Sequence, residues 1–383
     1  MNNKIYKVIS VCHSHVPTSK FLVNPILYDI KSPEQPYSAY VIYSIDSLLP
    51  DSEPELSLKG CEPHNIFSHL QHDHTSILII ILDYSSIYGD TFKKIKHFFD
   101  IYKLKPEQCY FILMDKMQAD ELQETLKLQG IYIHVTARNS LLIDHTIQYT
   151  FPPIEIKKLF SIFCRSTREW RLRIFCELID KGLLDKCIYS YMNSCSLDSN
   201  GTSLEQVTTS NVLKNMIPVS YSNEVKDKIS KWVDGMPYAI EKNFGMHFSP
   251  VLFDAIAQSS IHIILETRNE ANHFELTEKT WKPIAVKKPF LIFGHGGSLN
   301  QLRRRGYKTF SPFIDESYDL VDNTYLREQA VIIEMQRIAS LSAQELFLLI
   351  AQCAAATEYN YQLLLKEQQY EWSDEFAKLG VVK

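Results

Sequence analysis

The stretch from residue 261 to residue 310 alternates between strand-like and helix-like patterns, and this alternation limits the possible fold most strongly. Its first apolar run ends at Glu266, and a polar loop separates that run from Thr277, where a helical pattern begins. A second apolar run, Phe290–Phe293, stops at Gly294. Strands that alternate with helices form parallel sheets, and ligands bind beyond the carboxyl ends of such strands. The sequence therefore predicts an α/β domain with a binding site at these strand ends.

The first 150 residues show the same alternation. Strand-like runs occupy residues 5–11, 39–43, 77–82, 110–114 and 131–135, with helical patterns at 89–102 and 119–128. The run at 77–82 is apolar throughout, which is typical of a parallel strand buried on both faces. A second set follows, with strands predicted at 159–164 and 187–191 and a helix at 170–181. These patterns predict two parallel sheets.

Two consecutive prolines, Pro152 and Pro153, separate the two sets. Because proline continues neither a helix nor a central strand, we place the domain boundary here. We expect an α/β protein with two Rossmann-like domains that face a cleft, at residues 1–152 and 153–340. The tail is strongly helical, and Ser342 with Glu345 forms a capping-box pattern that starts a new helix. We expect the helical segment 341–383 to pack back on the first domain.

Composition excludes several classes of protein. The chain has 383 residues, of which 45% are apolar and 22% charged, so it predicts a folded globular protein. A net charge of −5 argues against broad binding to nucleic-acid phosphates. The eight cysteines contain no CxxC pair and are interpreted as buried free thiols in a reducing compartment. Neither a signal peptide nor a run of about 18 apolar residues is present, so we expect a cytoplasmic protein with no transmembrane segment.

The group Thr277-Glu278-Lys279 is the first candidate for chemistry. Threonine is a good N-cap, and the backbone N–H groups at a helix start favour an anion. Lys279 adds a point charge suited to phosphate oxygens, and Glu278 is able to accept hydrogen bonds from hydroxyls. The alternative interpretation is an ordinary helix cap with charges in its first turn.

A cluster of arginines is the second candidate. These side chains follow the predicted strand that ends at Cys164, and they are Arg165, Arg168, Arg171 and Arg173. A planar guanidinium donates two parallel hydrogen bonds, which suits a diphosphate. The alternative is a solvated helix face, and some of the four are expected to belong to it.

These residues together resemble the donor-binding region of the α-1,3-fucosyltransferases. The resemblance covers the strand end at Glu266, the segment Leu276-Thr277-Glu278-Lys279-Thr280-Trp281, then Pro289-Phe290 and Gly294, with Arg171 leading an upstream helix. It extends over about residues 160–310. The family has asparagine directly after the strand-end glutamate, whereas Thr267 stands here, so GDP-fucose does not follow as the donor.

The resemblance implies a GT-B glycosyltransferase that takes a sugar from a nucleoside diphosphate sugar. Residues 1–152 would then be the acceptor domain and residues 153–340 the donor-binding domain. In the donor site, Arg171 and Lys279 would neutralise the leaving diphosphate, and Glu278 would contact the donor sugar or ribose and stabilise positive charge on the sugar. Glu266 would fix the sugar or nucleotide, and Thr277, Arg165 and Gly294 would complete the site. The reaction would need no metal and no cofactor, because the cations replace the metal ion.

An inverting transfer also needs a base that deprotonates the acceptor hydroxyl. Asp83, directly after the apolar run at 77–82, is the first candidate, and His13 is the second. The nucleotide sugar is the expected small-molecule partner. The acceptor remains open between a glycan, a protein and a modified nucleic-acid base.

Two other functions remain as alternatives. His13 and His15 resemble the metal pair of a barrel hydrolase, and His69, His72, Asp73 and His74 would add ligands. The other alternative is a catalytically inactive nucleotide-sugar-binding or interaction module. Its partner surface would contain two groups of residues: Tyr307, Phe310 and Tyr318, and the arginine run 303–305.

Overall fold

The computed structural model describes part of the chain, in two compact units. The described residues are 6–11, 37–43, 77–82, 99–100, 103–105, 108–113, 122–124, 126–128, 134–137, 153, 155–195, 220–236, 238, 250–267, 269 and 276–368. Residues 1–145 and 367–383 form one unit, and residues 146–366 form the other.

The first unit contains a five-stranded parallel sheet. Its strands are β1 (Tyr6–Val11), β2 (Tyr37–Tyr43), β3 (Ile77–Leu82), β4 (Cys109–Leu113) and β5 (His134–Ala137). They lie in sequential order, and each pairs in parallel with the next. All five strand predictions for this half of the chain are confirmed, with the bounds of β3 unchanged. Among these described strands the order does not reverse, in contrast to a doubly wound sheet.

The second unit contains a four-stranded parallel sheet whose order does reverse. Its strands are β6 (Lys158–Thr167), β7 (Cys187–Cys195), β8 (Ser259–Leu265) and β9 (Phe290–Phe293). The order is β7-β6-β8-β9, so the chain passes from β6 to β7 on one side and then returns to place β8 on the other side. The predicted strands of this half are confirmed, and β6 and β7 extend beyond their predicted ends.

Seven helices are described around this sheet. They are α1 (Glu169–Asp180), α2 (Asn223–Asp234), α3 (Pro250–Ala257), α4 (Glu278–Ala285), α5 (Ser298–Arg304), α6 (Thr324–Ala339) and α7 (Ala343–Gln368). The predicted break between the last two is confirmed: the backbone N–H of Ser342 donates to Glu345 Oε2 at 2.8 Å, and that of Glu345 donates to Ser342 Oγ at 3.3 Å. These reciprocal bonds form the capping box.

The helix α7 is fixed to the second unit by Asn360. This buried side chain makes two hydrogen bonds with the backbone of Lys308, accepting from its N–H at 2.7 Å and donating to its carbonyl at 2.8 Å. Cys353 and Leu364 of the same helix are also buried. Helix α7 belongs to the second unit up to Lys366, and residues 367–383 belong to the first.

The three aromatic residues proposed as part of a partner surface belong to the core instead. Tyr307, Phe310 and Tyr318 are between 1% and 3% exposed. Phe310 packs edge-on against Phe290 of β9, and Tyr307 contacts Trp281 of α4. That prediction was wrong, because these aromatic residues, which follow α5 in the chain, pack inward against β9 and α4.

Candidate functional site

The reversal of strand order defines where a ligand site is expected in the second sheet. The connections that leave β6 and β8 go to opposite sides, which opens a crevice beyond their carboxyl ends. The segments that follow these two strands carry Arg168 and Arg171 on one side, and Glu266, Thr267 and the start of α4 on the other. The sequence-predicted residues therefore converge on the topological switch point.

Arg171 links the two sides of this point. It lies in α1, is 3% exposed, and its Nη2 donates a hydrogen bond to the backbone oxygen of Glu266 at 2.6 Å. The charges of Arg171, Lys279 and Arg168 all act on the buried thiol of Cys164, whose pKa is raised by burial and lowered in part by these cations. The three cations therefore all lie near one position on β6.

Glu266 has no solvent exposure, and its carboxylate is held by the start of α4. Glu266 Oε2 accepts from Thr277 Oγ1 at 2.5 Å, Oε1 accepts from Thr280 Oγ1 at 2.5 Å, and the backbone N–H of Thr277 donates to the same group at 3.2 Å. A carboxylate is favourable here because the helix start presents N–H donors and positive partial charge. Glu266 thus occupies the position at which the sequence suggested an anion, and it orients α4.

Thr277 is the N-cap of α4, as predicted. Its backbone is extended, and its Oγ1 accepts from the backbone N–H of Lys279 at 3.4 Å. The side-chain hydroxyl therefore both donates to Glu266 and accepts from the first turn. These two hydrogen bonds of the hydroxyl fix the first turn of α4 and thereby the direction of the Lys279 side chain.

Lys279 and Glu278 reach the solvent-accessible edge of the site. Their side chains are 23% and 20% exposed, and Lys279 Nζ donates to Glu278 Oε1 at 2.9 Å. The same ammonium donates to Thr267 Oγ1 at 2.9 Å and to Thr277 Oγ1 at 3.1 Å. Lys279 is therefore positioned by one hydroxyl from the segment after β8 and one from the N-cap of α4, with its charge near the surface.

Two of the remaining arginines differ in position. Arg165 lies within β6, is exposed, and its charge acts on Lys282 of α4, so it belongs to the same cluster of cations. Arg173 lies on another face of α1, where it forms two hydrogen bonds of 2.9 Å with the carboxylate of Glu328. Arg173 is therefore part of a structural ion pair, as the alternative interpretation allowed for some of the four arginines.

Gly294 packs directly behind Glu266. A Cβ atom at this position would lie 3.0 Å from Ser298 Oγ, 3.2 Å from Ile292 Cγ2 and 3.4 Å from Glu266 Cγ. A larger residue would crowd Ser298 and Ile292, and its Cβ would touch the side chain of Glu266. Gly294 thus allows the chain after β9 to pack closely against Ser298, Ile292 and the Glu266 side chain.

A further network, which the sequence did not reveal, fixes the loop after β8. Asn269 is buried; its Nδ2 donates to Glu328 Oε1 and its carbonyl accepts from Arg327 Nη2, both at 2.6 Å. Arg327 Nε also donates to the carbonyl of Gly294 at 2.9 Å. Asn269 lies almost sixty residues before Arg327 and Glu328 in the chain. From the local sequence, Arg327 and Glu328 look like ordinary charged residues on a helix surface.

Several predicted residues lie outside the described part of the chain. They are Asp83, His13, His15, His69, His72, Asp73 and His74. Within the described residues, no three His, Cys, Asp or Glu side chains gather in a way that suits a metal ion. No described helix combines the length and the apolar character needed to cross a membrane.

Comparison with known proteins gives only distant structural similarities. No protein-family model matches the sequence, and no curated protein matches it either. Among solved structures, alpha,alpha-trehalose 6-phosphate synthase from Burkholderia multivorans aligns with a TM-score of 0.44 and 10% identity, over 90% of this chain and 71% of that chain. The T4 phage BGT in complex with its UDP-glucose substrate aligns with a TM-score of 0.39 and 12% identity, over 90% and 82%.

These similarities are to glycosyltransferases of the GT-B type. The resemblance to α-1,3-fucosyltransferases has no counterpart among the structures reported. With TM-scores below 0.5, the similarities give no information on the donor or the acceptor.

Proposed function

We propose that this protein transfers a sugar from a nucleoside diphosphate sugar to an acceptor hydroxyl, with inversion and without a metal ion. The observation that carries the proposal is the cluster of Arg171, Lys279 and Arg165 at the switch point between β6 and β8. The crevice at a switch point is where open α/β sheets bind ligands, and the cations there suit a diphosphate.

The leaving diphosphate would be neutralised by side chains rather than by the helix start. The carboxylate of Glu266 already accepts hydrogen bonds at the start of α4, so the diphosphate would contact Lys279 and the guanidinium groups. Glu266 then becomes a positioning residue, which holds Thr277 and through it Lys279. Fixed cations of this kind stabilise developing charge without reorganisation, and this is the role a metal ion has in other transferases.

Glu278 is proposed to contact the donor sugar or ribose. Its carboxylate is partly exposed beside the ammonium of Lys279, so it would lie next to the diphosphate and near positive charge on the sugar. The catalytic base is proposed to be Asp83, which follows the last residue of β3 in the sequence, with His13 as the second candidate. Residues 1–152 would form the acceptor domain and residues 153–340 the donor domain of a GT-B enzyme.

A thermal-shift screen against common nucleotide sugars tests the first part of this proposal. A ligand that binds only the native state raises the melting temperature, and at equal ligand concentration the shift should be much smaller in Lys279→Ala but unchanged in Lys181→Ala. Lys181 is an exposed lysine at the far end of α1, which makes it a matched control.

The hits of that screen then serve as donors in a transfer and hydrolysis assay. Cleavage of the donor, measured as the appearance of free nucleoside diphosphate, supports a glycosyltransferase. Binding of a nucleotide sugar without any release of sugar would support the inactive binding module instead. If no nucleotide or nucleotide sugar binds, the proposed function is wrong.

A further inference from the structure

Three charged residues of α4 keep part of their surface exposed to solvent. Thr280, Trp281, Pro283, Ile284 and Ala285 are buried against the rest of the unit, which leaves Glu278, Lys279 and Lys282. Residues three and four positions apart are neighbours on a helix surface. Helical side chains also point towards the helix start, so the Lys282 ammonium extends towards Lys279 and Glu278.

The charged surroundings of Lys282 come from several elements. The side chains whose charges interact with it are Arg165 of β6, His262 of β8, Glu266 at the end of β8, and Glu278 and Lys279 of α4. Helix α3, which also packs against α4, carries Asp254 as its one ionisable side chain. Lys282 therefore lies within the cation cluster of the switch point. Arg165 and Lys279 carry the same positive charge and repel its ammonium.

This environment makes the ammonium of Lys282 easy to deprotonate. Lys282 keeps partial exposure, but its ammonium is largely surrounded by protein. This desolvation lowers its pKa to about 8, Lys279 and Arg165 lower it further, and Glu278 and Glu266 oppose the change. His262 adds no positive charge near neutral pH, because burial lowers its pKa to about 3. A dianion bound beside Lys279 would reverse the balance of charge and favour the protonated form of Lys282.

We propose that Lys282 is a further cation of the diphosphate site, beside Arg171, Lys279 and Arg165, and takes up a proton when a nucleoside diphosphate binds. This inference rests on the proposed function, and it deepens that function by making donor binding depend on pH. The protonated form is lost as the pH rises through 8, so affinity should fall between pH 7 and pH 9. The terminal phosphate of a nucleoside diphosphate, whose second pKa is about 6, is already ionised in this range and does not contribute.

Isothermal titration calorimetry of the full chain with UDP and with GDP tests the proposal. Titrations at pH 8 in two buffers with different enthalpies of ionisation give the number of protons taken up. We expect about half a proton per nucleotide, because a group with a pKa near 8 is half protonated before binding. Uptake should decline as the pH is lowered from 8 to 7, where the terminal phosphate is still largely ionised.

Three variants separate Lys282 from other titrating groups. Lys282→Met should abolish the uptake and weaken binding at pH 7 by roughly tenfold. Lys282→Arg keeps the charge at every pH, so it should bind well at pH 9 and take up no proton. Lys288→Met is the control, because burial also lowers the pKa of Lys288 to about 8. Lys288 precedes β9 and therefore lies at the amino end of that strand, whereas the site lies at the carboxyl ends of the strands.

The outcomes distinguish this inference from the proposed function. Nucleotide binding by the wild-type protein without proton uptake, or with uptake that persists in Lys282→Met or Lys282→Arg, overturns the role of Lys282 alone. Absence of binding by UDP and GDP at every pH overturns both proposals. If Lys282→Met does not fold, labelling of wild-type Lys282 by acetic anhydride replaces it. The labelling rate should rise around pH 8 and fall when nucleotide is bound. A labelling rate that bound nucleotide does not change contradicts the proposal.

Discussion

Arg171 donates a hydrogen bond of 2.6 Å to the backbone carbonyl of Glu266, and this contact joins the two connections that separate at the switch point. Glu266 in turn holds Thr277 and Thr280 at the start of α4 through its carboxylate. One buried residue therefore fixes a guanidinium on one side of the crevice and the lysine-bearing helix start on the other. The cations are positioned before any ligand arrives, which is the condition for strong electrostatic stabilisation.

Replacement of Lys279 tests the central cation of the site. Lys279→Ala removes a charged donor that is held by Thr267 and Thr277 hydroxyls. We expect nucleoside diphosphate affinity to fall by about 2 kcal/mol, or roughly thirtyfold, as measured by calorimetry at low salt. Lys181→Ala should bind as the wild-type protein does, and unchanged affinity in Lys279→Ala would remove Lys279 from the site.

Two glutamates of the site are expected to lose different amounts of stability on the same substitution. Glu266→Gln replaces a fully buried carboxylate with an amide that has fewer acceptor positions for Thr277 and Thr280. The free energy of unfolding should fall by about 3 kcal/mol, because buried hydroxyl and N–H donors lose their acceptor. Glu278→Gln loses a partly exposed ion pair and should cost less than about 1 kcal/mol.

Urea unfolding followed by tryptophan fluorescence measures both variants. Three of the four tryptophans, Trp170, Trp232 and Trp281, lie in the second unit, so the signal reports mainly on the unit that contains both glutamates. Glu278→Gln should nevertheless reduce sugar transfer. Equal losses of stability would contradict the positioning role assigned to Glu266.

Substitution of Asp83 addresses the catalytic base. Asp83→Asn removes the group proposed to deprotonate the acceptor hydroxyl and leaves the cation cluster of the second unit untouched. Turnover should fall by about 10²- to 10⁴-fold while donor affinity stays the same. His13→Asn is the companion variant, since a larger loss there would transfer the role to His13, and normal turnover in Asp83→Asn would exclude Asp83.

The strands and the helix caps were predictable because their signals are local. The apolar run 77–82 became β3 without change, and the Ser342–Glu345 pattern marks the start of α7 because both partners lie in one turn. Thr277 was identified as an N-cap for the same reason. Local backbone geometry depends on residues that are adjacent in the chain, so these features can be read from a single sequence.

The hydrogen bonds that hold the site residues in place were not predictable, because the bonded residues are far apart in the chain. Glu266 was expected to contact the ligand, yet its carboxylate is used by threonines eleven and fourteen residues later. Arg327 and Glu328 of α6 fix Asn269 from almost sixty residues away. Whether a charged residue faces a ligand or supports another residue depends on how the helices pack, and a single sequence does not contain that information.

The buried His262 gives the second unit a predictable dependence on pH. Burial lowers its pKa from 6.5 to about 3, and its Nδ1 lies 2.8 Å from Ser161 Oγ, within a network that includes Ser259. In the unfolded chain this imidazole binds a proton below about pH 6.5, whereas in the folded protein it stays neutral down to about pH 3. Its contribution to stability is therefore complete above pH 6.5 and is lost as the pH falls towards 3.

Urea unfolding at half-unit steps between pH 4 and pH 7 measures this contribution. His262 should account for a loss of about 1.4 kcal/mol per pH unit below pH 6, because the unfolded state binds one more proton than the folded state. His262→Asn removes the titrating group and keeps a polar partner for Ser161. The variant should be less stable at pH 7 but lose stability less steeply on acidification. Parallel pH profiles for the two proteins would show that His262 becomes protonated in the folded state, contrary to its burial.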